Sequence, residues 1–369
     1  MVNEEPRKEN PGDKRAVGAV VVSPALQCGE RDCAIPFRSP VGTAEGNFIC
    51  GDQKPSAERK TIRMSSILNA AKLKIETGGR PPAAVEISPE GVLAASLPAS
   101  GGNPVYAFEA LPEGFVVPGI EETNLRAPDA VANAIRSALD QVSPRSRVAT
   151  LVIPDTLVRV FMLDFDTLPA KKADVLPMMR FRLRKMVPFD VEHSAVSYQI
   201  LSQTKEQCKV LAAIIPGVVL AEYEAAVRAA GYEPGAVLPS SLAAIETVDT
   251  MEAVLAAVLS SRGITTLIAN GQELLLYRNL ELPLDAAERA REIERTVAVA
   301  TAYYEDRLGA RPEKLYYAGN RDAAEFATLL GETELLVQEL TARPASGAMT
   351  SLGDSSIAGV TGALAGARA

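Results

Sequence analysis

MMRFRLRKMVPFD, Met178–Asp190, is out of character with the chain that contains it. Arg180, Arg182, Arg184 and Lys185 fall within six residues, followed by Val187-Pro188-Phe189. The 369-residue chain as a whole is acidic, with 46 Asp and Glu against 38 Lys and Arg and a formal net charge of −8. Nucleic-acid binding needs a basic footprint that neutralises phosphates, so the overall balance argues against it. Spacing gives a local reading. Val175, Met179, Leu183 and Met186-Val187 recur at helical intervals and form one apolar face. The cations lie largely off that face, as a solvated surface or as a contact surface for an acidic partner or a membrane. Pro177 predicts a kink or a later helix start, and the residue before Pro188 ends the helix.

Working outward, strands and helices alternate. Upstream, AAVEIS and GVLAASLP read as strands joined at Pro89-Glu90-Gly91, and VYAFEA and FVVPG continue them. APDAVANAIRSALDQV is an amphipathic helix with Val131, Ile135, Leu139 and Val142 on one stripe. VATLVIP and LVRVFMLDF are strands. Downstream, SAVSYQILSQ and KEQCKVLAAIIP are strands, and GVVLAEYEAAVRAAG is a helix closed by Gly231. GAVLPSS leads into SLAAIETVDTMEAVLAAVL, with Ser240-Ser241 read as the cap of a helix. A second unit begins near Arg262 with a hairpin at Asn270-Gly271. The long helix DAAERAREIERTVAVATAYYEDRLG follows, then the strand KLYYAGN, the helix AAEFATLL, the strand ELLVQEL and a closing helix in DSSIAGVTGALAGARA.

Residues 1–63 differ from the rest. They hold six Pro and six Gly without sustained periodicity, which predicts disorder. The change at RMSSILNAAKLKIETGG makes Met64 a candidate start of the native chain. Cys28, Cys33 and Cys50 lie in this region and Cys208 outside it, with no C-x-x-C pair. That disfavours a zinc ribbon and favours a reducing compartment. His193 is the one histidine, so histidine-rich metal sites are excluded; a surface or capping role is expected for it. There is no uninterrupted apolar run of transmembrane length. The P-loop, dinucleotide, zincin and EF-hand motifs are all absent.

From Ala149 to Val248 the order of elements resembles the PilM family, the actin-like proteins of type IV pilus assembly. The residues that carry the resemblance are LVIPDTLVRVFMLDFDTLP, the helix ending RKMVPFD, the strand VSYQIL, and KVLAAIIPGVVLAEYEAAVRAAGYEPGAVLPSSLAAIE. Pro188-Phe189 and Tyr198-Gln199 are its best markers. The resemblance implies an α/β, actin-like two-domain fold with an inserted α/β subdomain and a reduced second half. Residues 64–260 would form the first half, with the insert at about 165–235. Residues 261–369 would form the second, with a C-terminal helix returning to the first half.

The family binds ATP between its halves on glycine-rich hairpins whose N–H groups hold phosphates. All three loops depart from that pattern here. The first carries Glu86 and Ser88 where Asp and Gly are expected. The second, placed at Ile264–Gly271 with Thr265 and Thr266, lacks its Asp. The third is Tyr317-Ala318-Gly319-Asn320. Nucleotide binding is therefore expected to be weak or lost, with ATP and magnesium reserved for an alternative reading as an actin-like ATPase or kinase-like enzyme. What the resemblance implies is a scaffold and not an enzyme. It would sit in the cytoplasm at the inner face of the inner membrane and hold the N-terminal segment of a PilN-like membrane protein. Arg180, Arg184, Pro188 and Phe189 are the partner-binding candidates. Membrane association would run through the partner, other pilus assembly components would join, and homo-oligomerisation stays open. A cytoplasmic domain like that of the type II secretion protein GspL is the second alternative.

Overall fold

The computed structural model describes residues 80–342 and 356–367, apart from 100, 121–122, 205 and 272. The expected disorder of 1–63, the lead-in after Met64 and three of the four cysteines lie outside the described residues.

The first half opens with β1 (Ala83–Ile87), β2 (Gly91–Ser96) and β3 (Val105–Ala110), an antiparallel meander. Helix α1 (Pro128–Val142) crosses over to β4 (Val148–Ile153), which runs parallel to β1. Val131, Ile135, Leu139 and Val142 are buried, the stripe that their spacing predicts. After the insert, helix α3 (Gly217–Ala229) leads into β8 (Glu233–Pro239), parallel to β4, and the short helix α4 (Ser240–Ala244) follows it. The sheet order is β3-β2-β1-β4-β8.

The second half repeats this plan. β9 (Ala253–Leu259), β10 (Gly263–Asn270) and β11 (Glu273–Glu281) form the meander, and helix α5 (Ala286–Leu308) crosses over to β12 (Lys314–Ala318). Helix α6 (Ala323–Leu329) then leads to β13 (Leu336–Glu339). The order β11-β10-β9-β12-β13 reproduces the first sheet strand for strand. Only four residues separate β12 from α6, the place equivalent to the insert between β4 and α3, so this half carries no counterpart of the insert. Its first strand is Ala253–Leu259, so it begins there and not at 261. The expected strand at Phe115–Gly119 is limited to a single bridge between Val116 and Leu125.

The insert is β5 (Arg159–Phe165), helix α2 (Lys172–Leu183), β6 (Ser194–Gln203) and β7 (Cys208–Pro216), with strand order β5-β7-β6. Its own core joins Val175, Met179 and Leu183 of α2 to Val210, Ala212 and Ile214 of β7. The apolar face of the opening stretch is therefore what seats α2 on its sheet. Pro177 lies within one continuous helix.

Both faces of β9 are buried. Val254, Ala256 and Val258 join the large core shared with the first half, and Leu255, Ala257 and Leu259 join the core under α5 and α6. The last helix, α7 (Ala358–Ala365), packs against the first half through Val360, Ala363 and Leu364, beside Ala84, Leu93 and Val152. It approaches so closely that a side chain at Gly362 would overlap the carbonyl oxygen of Ala243.

Candidate functional site

The duplicated sheets bring their turns face to face. A cleft opens between the β1–β2 turn of the first half and the β9–β10 and β12–α6 turns of the second. Glu86, Ser88, Gly319 and Asn320 line it, so two of the three expected loops meet there. Thr265 and Thr266 do not line it. They are buried within β10, at 1% and 0% exposure. The turn equivalent to the β1–β2 turn is Ser260-Ser261-Arg262, and it occupies the place expected of the second loop.

Both turns direct several of their backbone donors at themselves. Ser88 N donates to Gly91 O (2.9 Å) and Gly91 N to Ser88 O (3.3 Å), while Pro89 has no N–H. In the second turn Ser260 N donates to Gly263 O (2.8 Å), and Ser260 Oγ accepts from Gly263 N (3.0 Å) and Arg262 N (3.4 Å). A phosphate nest requires such N–H groups to point outward; here they close the turns.

Two carboxylates stand behind the turns. Glu86 Oε1 accepts from Ser240 Oγ (2.6 Å), while Glu86 Oε2 is buried without a partner. Burial is the main cause that pushes the Glu86 carboxyl up to about 7; the Ser240 bond opposes the rise, and the charges of Asp155 and Glu90 add to it. Gly359 of α7 covers it so closely that a Cβ there would stand 2.5 Å from Glu86 Oε2.

Asp155 is the junction between the halves. Its Oδ1 accepts from Ser241 N (3.0 Å) and Ser241 Oγ (2.8 Å), and its Oδ2 from Thr265 Oγ1 (2.8 Å). Asn279 Nδ2 donates to Thr265 Oγ1 (2.8 Å), and Tyr277 OH lies 3.2 Å from Ser241 Oγ. Burial raises the Asp155 carboxyl above its ordinary value, against the lowering effect of these hydrogen bonds. Burial also drives the Tyr277 hydroxyl well above 10. Ser240 and Ser241 make no side-chain cap to their helix; they hold the two carboxylates instead.

A magnesium–nucleotide complex fits these residues poorly. Such an ion wants ionised carboxylates facing the ligand. Asp155 has both oxygens engaged, and burial favours the protonated form of Glu86. Among the described residues no group of three or more His, Cys, Asp or Glu is arranged to hold a metal.

On the insert, Arg180 and Arg184 are already occupied. Arg180 Nη1 donates to the carbonyls of Val191 and Ser194, pinning the loop before β6. Arg184 pairs with Glu192 at the surface. Pro188 is exposed and Phe189 half-buried against the insert core. His193 is an exposed partner of Asp190. Neighbouring Phe181 is 69% exposed.

By sequence, neither a protein-family model nor a curated protein matches the chain. The doubled five-stranded sheets, the insert and the cleft between the halves define an actin-like α/β protein. The particular likeness is to the structure described as the PilM-PilN type IV pilus biogenesis complex, at TM-score 0.61 and 20% identity, covering 78% of this chain and 98% of that one. The cytoplasmic domain of EpsL, an inner membrane component of the type II secretion system of Vibrio cholerae, is similar at TM-score 0.43 and 14% identity, covering 72% of this chain and 90% of that one. A Bacteroides thetaiotaomicron protein with an actin-like ATPase fold is similar at 0.42 and 12%, covering 69% and 88%. At these identities the likeness is one of fold.

Proposed function

We propose that this chain is the actin-like scaffold of a type IV pilus-like assembly machine, acting at the cytoplasmic face of the inner membrane. In this role it captures the N-terminal cytoplasmic segment of a PilN-like membrane partner. The observation that carries this reading is the likeness along nearly the whole length of a chain from the PilM-PilN complex. Among the described residues no helix is long and apolar enough to cross a membrane, so the reading gives membrane attachment to the partner.

The insert supplies the capture surface. β6 stands at the edge of its sheet and pairs, among the described strands, with β7 alone. Its sequence, SAVSYQILSQ, has neither a charge nor a proline, two of the means by which edge strands resist further pairing, and its register shifts between Ile200 and Ser202. Ile200 is 43% exposed on it. An extended peptide adds to such an edge by backbone pairing, with side chains setting specificity. Enzymatic turnover is not part of the proposal: both oxygens of Asp155 are engaged, and the N–H groups of Ser88, Gly91, Ser260, Arg262 and Gly263 bond within their own turns.

The test is calorimetry of the full chain with the N-terminal peptide of a single-pass protein encoded beside it. Saturable binding that weakens with Ile200→Lys is expected. No binding, or hydrolysis of ATP with magnesium at an enzyme's rate, would refute the scaffold reading.

A further inference from the structure

Phe181 is 69% exposed, and among the described residues no other phenylalanine is exposed. It sits in the last turn of α2. Five of the six residues Phe181–Met186 are exposed, and Leu183 alone points into the core of the insert. The end of α2 and the turn after it therefore form a protruding tip and not a groove. Met186, at 41% exposure, adds a second apolar side chain to that tip.

The charge of the tip sets it apart from the rest of the surface. Arg180 holds the carbonyls of Val191 and Ser194, and Arg184 pairs with Glu192. Arg182 and Lys185 are exposed and, among the described residues, have no ion pair. The four apolar side chains of comparable exposure are Val218, Met251, Leu284 and Leu336. Each has an acid close by in sequence, in turn Glu222, Glu252, Asp285 and Glu334, as a chain of formal net charge −8 leads one to expect. At the tip of α2 the pattern inverts. A single exposed apolar side chain is ordinary; an aromatic one flanked by unpaired cations on an acidic protein is not.

Shape and charge together select one kind of surface. Anionic headgroups attract nearby cations, and an apolar side chain that reaches the boundary between headgroups and acyl chains leaves water. A protruding tip has no groove in which to seat a peptide, but it can enter a headgroup layer. We infer that the tip of α2 is a foot on an anionic bilayer. Phe181 and Met186 enter the headgroup layer, and Arg182 and Lys185 lie at the lipid phosphates. One short apolar tip with two cations is a marginal anchor, so the contact is reversible. It uses this chain's own residues and does not rest on the scaffold reading, which places partner capture on other residues of the insert.

The experiment is flotation of the full chain with vesicles of phosphatidylcholine alone and of phosphatidylcholine mixed with phosphatidylglycerol, at low and high salt. Binding to the anionic vesicles that salt weakens, and none to the neutral ones, is expected. Phe181→Ala and Arg182→Glu should each lower partitioning by about tenfold. Leu284→Ala, at an exposed apolar position elsewhere, should leave it unchanged. All three positions are exposed, so the variants should melt like the wild type. The chain has no tryptophan, so Phe181→Trp supplies a single reporter, whose emission should move to shorter wavelength on anionic vesicles. Three results overturn the inference: no binding to anionic vesicles, wild-type partitioning of Phe181→Ala and Arg182→Glu, or bound Phe181→Trp protein with unshifted emission. Binding of soluble polyglutamate that Arg182→Glu abolishes, without vesicle binding, would also overturn it and assign the tip to an acidic protein. Lost vesicle binding with intact peptide capture strikes the foot and leaves the scaffold reading standing.

Discussion

Glu86→Gln should make the protein more stable, and the gain should appear only as pH rises. Burial moves the Glu86 carboxyl from its ordinary 4.5 to about 7 in the folded chain. Between those values the folded state keeps a proton that the unfolded chain has released. Stability from this proton is complete below about 4.5 and is lost as pH rises through about 7. Each pH unit of separation is worth about 1.4 kcal/mol, so the buried anion costs the fold roughly 3 kcal/mol at about pH 8. Glutamine has nearly the same shape and keeps an oxygen for the Ser240 hydroxyl, but it cannot ionise. Asp155 and Glu90, the carboxylates whose charges act on Glu86, are present in both proteins. Denaturant titrations at about pH 4.5, 6, 7 and 8 would measure it. The two proteins should be close at the acid end and separate progressively, to several degrees of Tm at the alkaline end. A difference that stays constant across that range would refute the reasoning, because it would mean that Glu86 titrates as it does in the unfolded chain.

Asp155→Ala leaves Ser241 and Thr265 without their shared acceptor and should lower the denaturant midpoint by the equivalent of about 2–4 kcal/mol. Asp155→Asn should cost less, because it keeps an acceptor for Ser241. Arg180→Glu should destabilise the protein by about 1–3 kcal/mol through loss of the two carbonyl bonds that pin the loop before β6. Arg184→Glu should stay within about 1 kcal/mol, because its ion pair with Glu192 is exposed; equal losses in thermal melts would show that Arg180 is as dispensable.

The fold was legible in this sequence where local patterns and tertiary packing agree. The face formed by Val175, Met179 and Leu183 is the core face of α2, and Asn270-Gly271 lies at the β10–β11 turn, with Gly271 at φ 56°. AVLAAVL was harder. A strand buried on both faces is a plain apolar run, which periodicity cannot tell from a buried helix. Losing β9 moved the second phosphate turn from Ser260-Ser261-Arg262 to the next hairpin and made the second half look shorter than it is. The Ser-Ser-Arg-Gly stretch between two apolar runs was the signal that could have placed it. The polar junction was not legible. Asp155, Ser241, Thr265 and Asn279 are as much as 124 residues apart in sequence, and only the closed sheets bring them together. Arg180 was misjudged for a related reason. Helical spacing places a side chain off the core face, but it does not reveal that a neighbouring loop returns to use it.

The position of α7 has a consequence for how the chain is made. Its apolar side chains complete the core on one side of the first sheet, beside Ala84, Leu93 and Val152, translated about 210–280 positions earlier. On a ribosome, β1, β2 and β4 emerge and pair while that side of the sheet remains uncovered, through synthesis of the insert and the whole second half. The first half, although it begins the architecture, is therefore the last part to be finished. A nascent chain of this kind exposes the Ala84–Leu93–Val152 surface for most of its synthesis, which makes it a natural client for chaperones that bind apolar segments. It also makes the last dozen described residues a poor place to truncate, whatever their small size and bland composition suggest.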